Sequence, residues 1–151
     1  MAYAAGININ STTTADQNAA QVLAVWTTAT HASRTADIVF NGVYNAGALA
    51  EVFRVTGRGL PVFPATVTAG GTTGNQTIDK PSGTVNIAAA GTTVTVTNAL
   101  CTTSSIVFAV LRTNDGTASI KNVVPGAGSF VINLGAAATA EVSIGFLVVN
   151  Q

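Results

Sequence analysis

A chain of 151 residues with only 8% charged, its six Lys and Arg matched by six Asp and Glu, has no basic face for a phosphate backbone or an anionic lipid surface. Neither nucleic acid nor membrane is therefore an expected partner. The lone Cys101 can close no disulfide within the chain, and apolar runs such as FLVV at 146–149 fall far short of the roughly 20 residues a spanning helix needs.

The opening MAYAAGININ has neither a basic n-region nor a sustained apolar stretch, so no signal peptide is expected and a reducing cytosol is the natural site of synthesis. STTTADQNAAQVLAVW, 11–26, fits a helix capped by Thr14, yet its β-branched content fits a strand over about 21–28 equally well. The secondary structure of residues 11–35 stays open. DIVFNGVY and EVFRVTGRG read as strands, and LPVFPATV as an extended segment that Pro61 and Pro64 confine to an edge or a loop. Tyr3, Trp26 and Tyr44 all lie in this half, where they either fill a core or anchor an interface with one wet edge.

TAGGTTGNQT at 68–77, followed by Pro81 and Gly83, marks a loop or linker, which puts a boundary near residue 80. It separates an N-terminal docking or oligomerisation region, 1–80, from a C-terminal antiparallel β module, 81–151. In GTVNIAAAGTTVTVTN, 83–98, Val85 and Ile87 share one face, as do Val94 and Val96. SIVFAVLR, 105–112, is apolar on both faces, the mark of a strand covered on both sides. Asn114-Asp115-Gly116 reads as a hairpin turn, and Pro125-Gly126 as a type II turn with Gly supplying the positive φ. SFVINL and VSIGFLVV follow, with Phe130, Ile132 and Leu134 on one face and Val142, Ile144, Phe146 and Val148 on another. About six short antiparallel strands in roughly 70 residues predict a small β-sandwich or barrel, joined to a β-rich, partly extended N-terminal region.

The usual catalytic constellations are thin. His31 is the single histidine; Ser33 or Ser11 with Asp16 or Asp37 would complete a triad, but nothing nearby builds a strained nucleophile elbow. Cys101 has no basic neighbour in sequence to activate it and reads as a small buried hydrophobe. One His and one Cys cannot form a zinc shell, and the only glutamates, Glu51 and Glu141, are not placed together by any motif. The expectation is a protein that is not an enzyme, with no catalytic residues, cofactor or metal.

The C-terminal module has more apolar faces than one small core can use. Val107, Ala109 and Leu111 face away from the Phe108 side, and Leu147 and Val149 away from the Phe146 side. These five residues join the three N-terminal aromatics as candidate interface positions. A neutral surface with few edge charges does little to discourage association, so a homo-oligomer is expected.

VTVTN (94–98), VFAVLRTNDGTASIKNVVPGAGSFVINL (107–134) and AAATAEVSIGFLVVN (136–150) together resemble a small β-module of tailed-bacteriophage virion proteins, found in capsid decoration proteins and at the ends of fibre-like proteins. The resemblance covers about residues 79–150, and its most specific parts are the NDGTA and PGAGSF turns and the closing FLVVN. It implies a non-enzymatic virion structural part, often trimeric, and brings no catalytic residues. The expected protein is thus a capsid decoration, or cement, protein made in the host cytoplasm and located on the capsid surface of the virion. Its partners would be copies of itself, as a homotrimer, and the major capsid protein, with the N-terminal half docking and the β-module outward. The alternative is a head fibre or tail receptor-binding tip that touches a host surface glycan.

Overall fold

Alternating β-branched and small residues make strands of almost every element. The computed structural model describes residues 3–9, 17–28, 31–33, 35–43 and 48–151, with side chains from residue 20 onward except that of His31. The fold is mainly β, and it divides into two units, Met1–Pro64 and Ala65–Gln151. The division falls earlier in the chain than residue 80, because residues 65–80 contribute two short strands to the second unit.

The first unit is one five-stranded antiparallel sheet in chain order: β1 (Tyr3–Ile9), β2 (Gln17–Thr28), β3 (Thr35–Gly42), β4 (Ala50–Val55) and β5 (Pro61–Val62). For residues 17–28 the strand prevails over the helix, since β2 pairs along both edges, with β1 and with β3, and its Val and Thr side chains suit a pleat. Thr14, the suggested cap, lies outside the described residues. One face of this sheet carries the row Gln21, Asn41 and the row Leu23, Val39, Arg54. The other carries Val22, Phe40 and Phe53, with Ala24, Ile38 and Val55 alongside.

The second unit is a sandwich of two four-stranded sheets, with no closed barrel. Sheet one runs β10 (Ile106–Leu111), β13 (Val142–Val149), β8 (Ser82–Ile87), β6 (Ala65–Thr66). Sheet two runs β11 (Ile120–Gly126), β12 (Ser129–Leu134), β9 (Thr93–Thr97), β7 (Gln76–Thr77). Pairing is antiparallel except at one edge of each sheet, where the two-residue β6 and β7 run parallel to β8 and β9. Val85 and Ile87, Val94 and Val96, Phe130 and Ile132, and Val142 and Ile144 meet between the sheets with essentially no exposure. Phe130 meets Phe146 edge-on at 5.0 Å, the arrangement ring quadrupoles favour. Cys101 is buried at the margin of this core.

Two turn assignments need correction. Asn114-Asp115-Gly116 does not close a hairpin: β10 lies in sheet one and β11 in sheet two, so the segment carries the chain across the sandwich. Asp115 is the residue that organises it. Its carboxylate accepts from the Thr117 and Ala118 backbone N–H at 2.9 and 2.8 Å and from the Thr139 hydroxyl and N–H at 2.6 and 2.9 Å, tying this loop to the one before β13. The true hairpin joins β11 to β12. There Pro125 and Gly126 remain in the strand, Gly126 pairs with Ser129, and the positive φ of +74° falls on Gly128. A second left-handed residue, Ala90 (φ +64°), sits in the arch between β8 and β9, where its N–H donates to the Ala138 carbonyl at 2.8 Å.

Candidate functional site

The titratable groups of the first unit are committed to one another. Arg54 donates to both oxygens of Glu51, at 2.7 and 2.6 Å, and to Asp37 at 3.4 Å, while the Gly57 N–H donates to Asp37 at 3.0 Å. The hydrogen bond from Arg54 holds the Glu51 carboxyl below the usual carboxylate range, and the same bond raises Arg54. Asp37 is buried in this network; His31 stands in a short 3-10 turn (His31–Ser33), and its side chain lies outside what the structure describes. Ser11 and Asp16 lie outside the described residues.

In the second unit Glu141 accepts from the Gly71 N–H at 3.0 Å and from the Asn86 amide at 2.9 Å, holding the 67–71 segment against β8. Asn86 also donates to the Ala69 carbonyl, and Thr84 accepts from the Thr68 N–H at 2.8 Å, so these two polar side chains are buried beneath that segment. The Thr139 hydroxyl, followed by the N–H groups of Ala118 and Thr117, pulls the Asp115 carboxyl far below its ordinary value. Among the described residues no three His, Cys, Asp or Glu side chains cluster as a metal would require.

What the two units do present is apolar surface. On the first, Trp26 is 44% and Ile38 49% exposed, and Val22 is exposed on the same face. Phe40 stacks on Phe53 at 5.3 Å, and Phe53 lies 5.5 Å from the exposed Phe63. The opposite face carries the polar network around Arg54 beside Leu23 and the buried Val39. Among the described residues of this unit all strands belong to one sheet, and none of them forms a second layer over the Trp26 face.

On the second unit a groove of about 620 Å³ runs across the outer face of sheet one. Phe108 and Val110 on β10 form one wall, and Val67 stands at the other side; they are 60%, 62% and 72% exposed. Gly145 is the floor. It pairs with Val110 on one side and Thr84 on the other, and a side chain there would come within 3.1 Å of the Arg112 stem, which lies alongside. The Arg112 backbone N–H donates to the Ser143 carbonyl at 2.8 Å, while its guanidinium meets no acceptor among the described residues.

These positions revise the expected interface set. Val107, Ala109 and Leu111 are turned inward and pack against the sandwich core, so they are not outward-facing. Ile106, Phe108 and Val110 face solvent instead. β10 is an edge strand whose two faces are both apolar, and alternation alone does not say which one meets Phe130. Leu147 and Val149 do lie on the outer face, Leu147 half-buried in the groove and Val149 exposed. Trp26 is exposed. Tyr3 is placed only by its strand register, opposite Ala24, and Tyr44 lies outside the described residues. The sequence reading also passed over Arg112 and Gly145; the one available signal was the glycine interrupting an otherwise bulky VSIGFLVV.

Comparison with protein-family models, curated proteins and solved structures finds no match to this chain.

Proposed function

We propose that this chain is a structural part of a virus particle: a decoration, or cement, protein of a tailed-bacteriophage head that self-associates as a trimer and stabilises the assembled shell. The observation that carries the reading is the exposed apolar face around Val22, Trp26 and Ile38, on a sheet over which the described residues form no second layer. A sheet needs its apolar side covered to be stable, and each 100 Å² of apolar surface removed from water contributes about 2.5 kcal/mol. A neutral chain with few charges supports cover by further copies and by a shell surface. Binding would work by mass action: a ligand that binds only the assembled shell stabilises it by about 2.7 kcal/mol at a hundredfold excess over Kd. Contacts with so few charges would survive salt.

The test is the absolute mass by light scattering in low and in molar salt, with co-sedimentation on purified phage heads. A mass three times 15.1 kDa that persists in molar salt, together with saturable co-sedimentation, is expected. Ile38→Lys should lower the mass by burying a charge in the contact. A monodisperse monomer, or release from heads at molar salt, would overturn the reading.

A further inference from the structure

We propose that the groove across β10, β13 and β8 is a docking site for a partner protein other than a further copy of this chain, one that presents a projecting apolar side chain next to a carboxylate. The inference concerns the second unit alone and does not depend on the particle reading. Its first ground is shape. The glycine floor at 145 opens a slot in a sheet face whose neighbours on the same strand are Ser143 and Leu147, and the walls of the slot are an aromatic ring and two valines. These walls are more than half exposed, so a small molecule lying in the slot would remain largely in water, whereas ligand sites of this volume normally enclose most of their ligand. An occupant that brings its own surrounding surface would cover Phe108, Val110 and Val67 at the same time.

The second ground is charge. Arg112 is the only ionisable group lining the groove, and it has five donors with no acceptor among the described residues. A second copy of the chain is poorly equipped to supply one. Every described side-chain carboxylate already accepts within its own chain: Asp37 and Glu51 hold Arg54, Asp79 accepts from the Ala99 N–H at 2.7 Å, Asp115 ties two loops and Glu141 secures the 67–71 segment. Complementarity therefore selects a partner with a free carboxylate beside an apolar group, the guanidinium taking the acid and the slot taking the side chain.

The probe is a blocked peptide, acetyl-Thr-Phe-Asp-Thr-amide, titrated into the full chain and followed by amide chemical shifts, with the Asp-to-Asn peptide as neutral control. The expected shifts centre on Phe108, Val110, Gly145 and Leu147, and the acidic peptide binds about two- to fivefold more tightly at low salt, the range an exposed ion pair supports. Arg112→Gln should abolish that difference without abolishing binding. Gly145→Val should abolish binding of both peptides, while unchanged amide exchange at Val85 and Ile144 shows that the variants stay folded. Absent shifts, shifts centred elsewhere, equal affinity for the two peptides, or discrimination that survives Arg112→Gln would each overturn the proposal. So would decanoate filling the groove while both peptides leave it silent, which would make the site one for a free amphiphile.

Discussion

Two phenylalanines on the same sandwich provide a calibrated test of which side of β10 is inside. Phe130 has no exposed surface and sits edge-on to Phe146. Truncating such a ring removes its transfer free energy and leaves a cavity that relaxes only in part, so Phe130→Ala should cost about 3–5 kcal/mol. Phe108 is 60% exposed and keeps about two fifths of its area covered. Full burial of such a side chain is worth roughly 1.5–3 kcal/mol, so Phe108→Ala should cost about 1 kcal/mol and leave no cavity. A unit spanning Ala65–Gln151 has a total stability of roughly 4–13 kcal/mol, which makes the first change close to disabling and the second mild. Trp26 and both tyrosines belong to the first unit, so fluorescence does not report on this one. Amide exchange at the slowest protons of β9 and β13 does, because these open only with the whole unit. Equal costs for the two variants would refute the assignment of Phe108 to the outer face. A cost below about 1.5 kcal/mol for Phe130→Ala would refute the packed core itself.

Further outcomes follow from the loops. The Asp115 carboxyl is lowered by folding, so its contribution is fully present above its ordinary value of 3.8 and is lost as the pH falls from there towards the depressed folded value. Acid titration of the second unit should therefore show falling stability below about pH 4, and Asp115→Asn should lower the melting temperature at neutral pH while flattening that acid limb; an unchanged limb would refute the role. Gly128→Ala meets open space yet forces a Cβ into the left-handed region, a cost of about 1–2 kcal/mol, whereas Gly126→Ala should be nearly neutral if the turn lies where the register places it. Ala90→Gly should have the opposite sign and stabilise by about 0.5–1 kcal/mol, the relief of a left-handed alanine less the added freedom of the unfolded chain; chemical denaturation read by far-ultraviolet circular dichroism checks all three.

How much of this was legible beforehand follows from the physics of alternation. In β8, β9, β12 and β13 the large apolar residues occupy one face and small or polar residues largely occupy the other, so Val85, Val94, Phe130 and Ile144 were identifiable as core from spacing alone. The mainly β character and the absence of a long apolar segment followed from composition. The low charge already implied a surface with little to oppose association.

Three matters were decided only in three dimensions. β10 is apolar on both faces, and which face is core depends on its place at the edge of sheet one, a long-range fact that no local pattern encodes. The NDG segment has turn chemistry that is equally satisfied by a hairpin and by a crossover between sheets; the choice came from the reach of Asp115 to Thr139, distant in sequence. The groove is of the same kind. Gly145 and Arg112 become a slot and a cation only when β13 is laid beside β10, because a side chain's neighbours across a sheet are set by strand register and not by sequence separation.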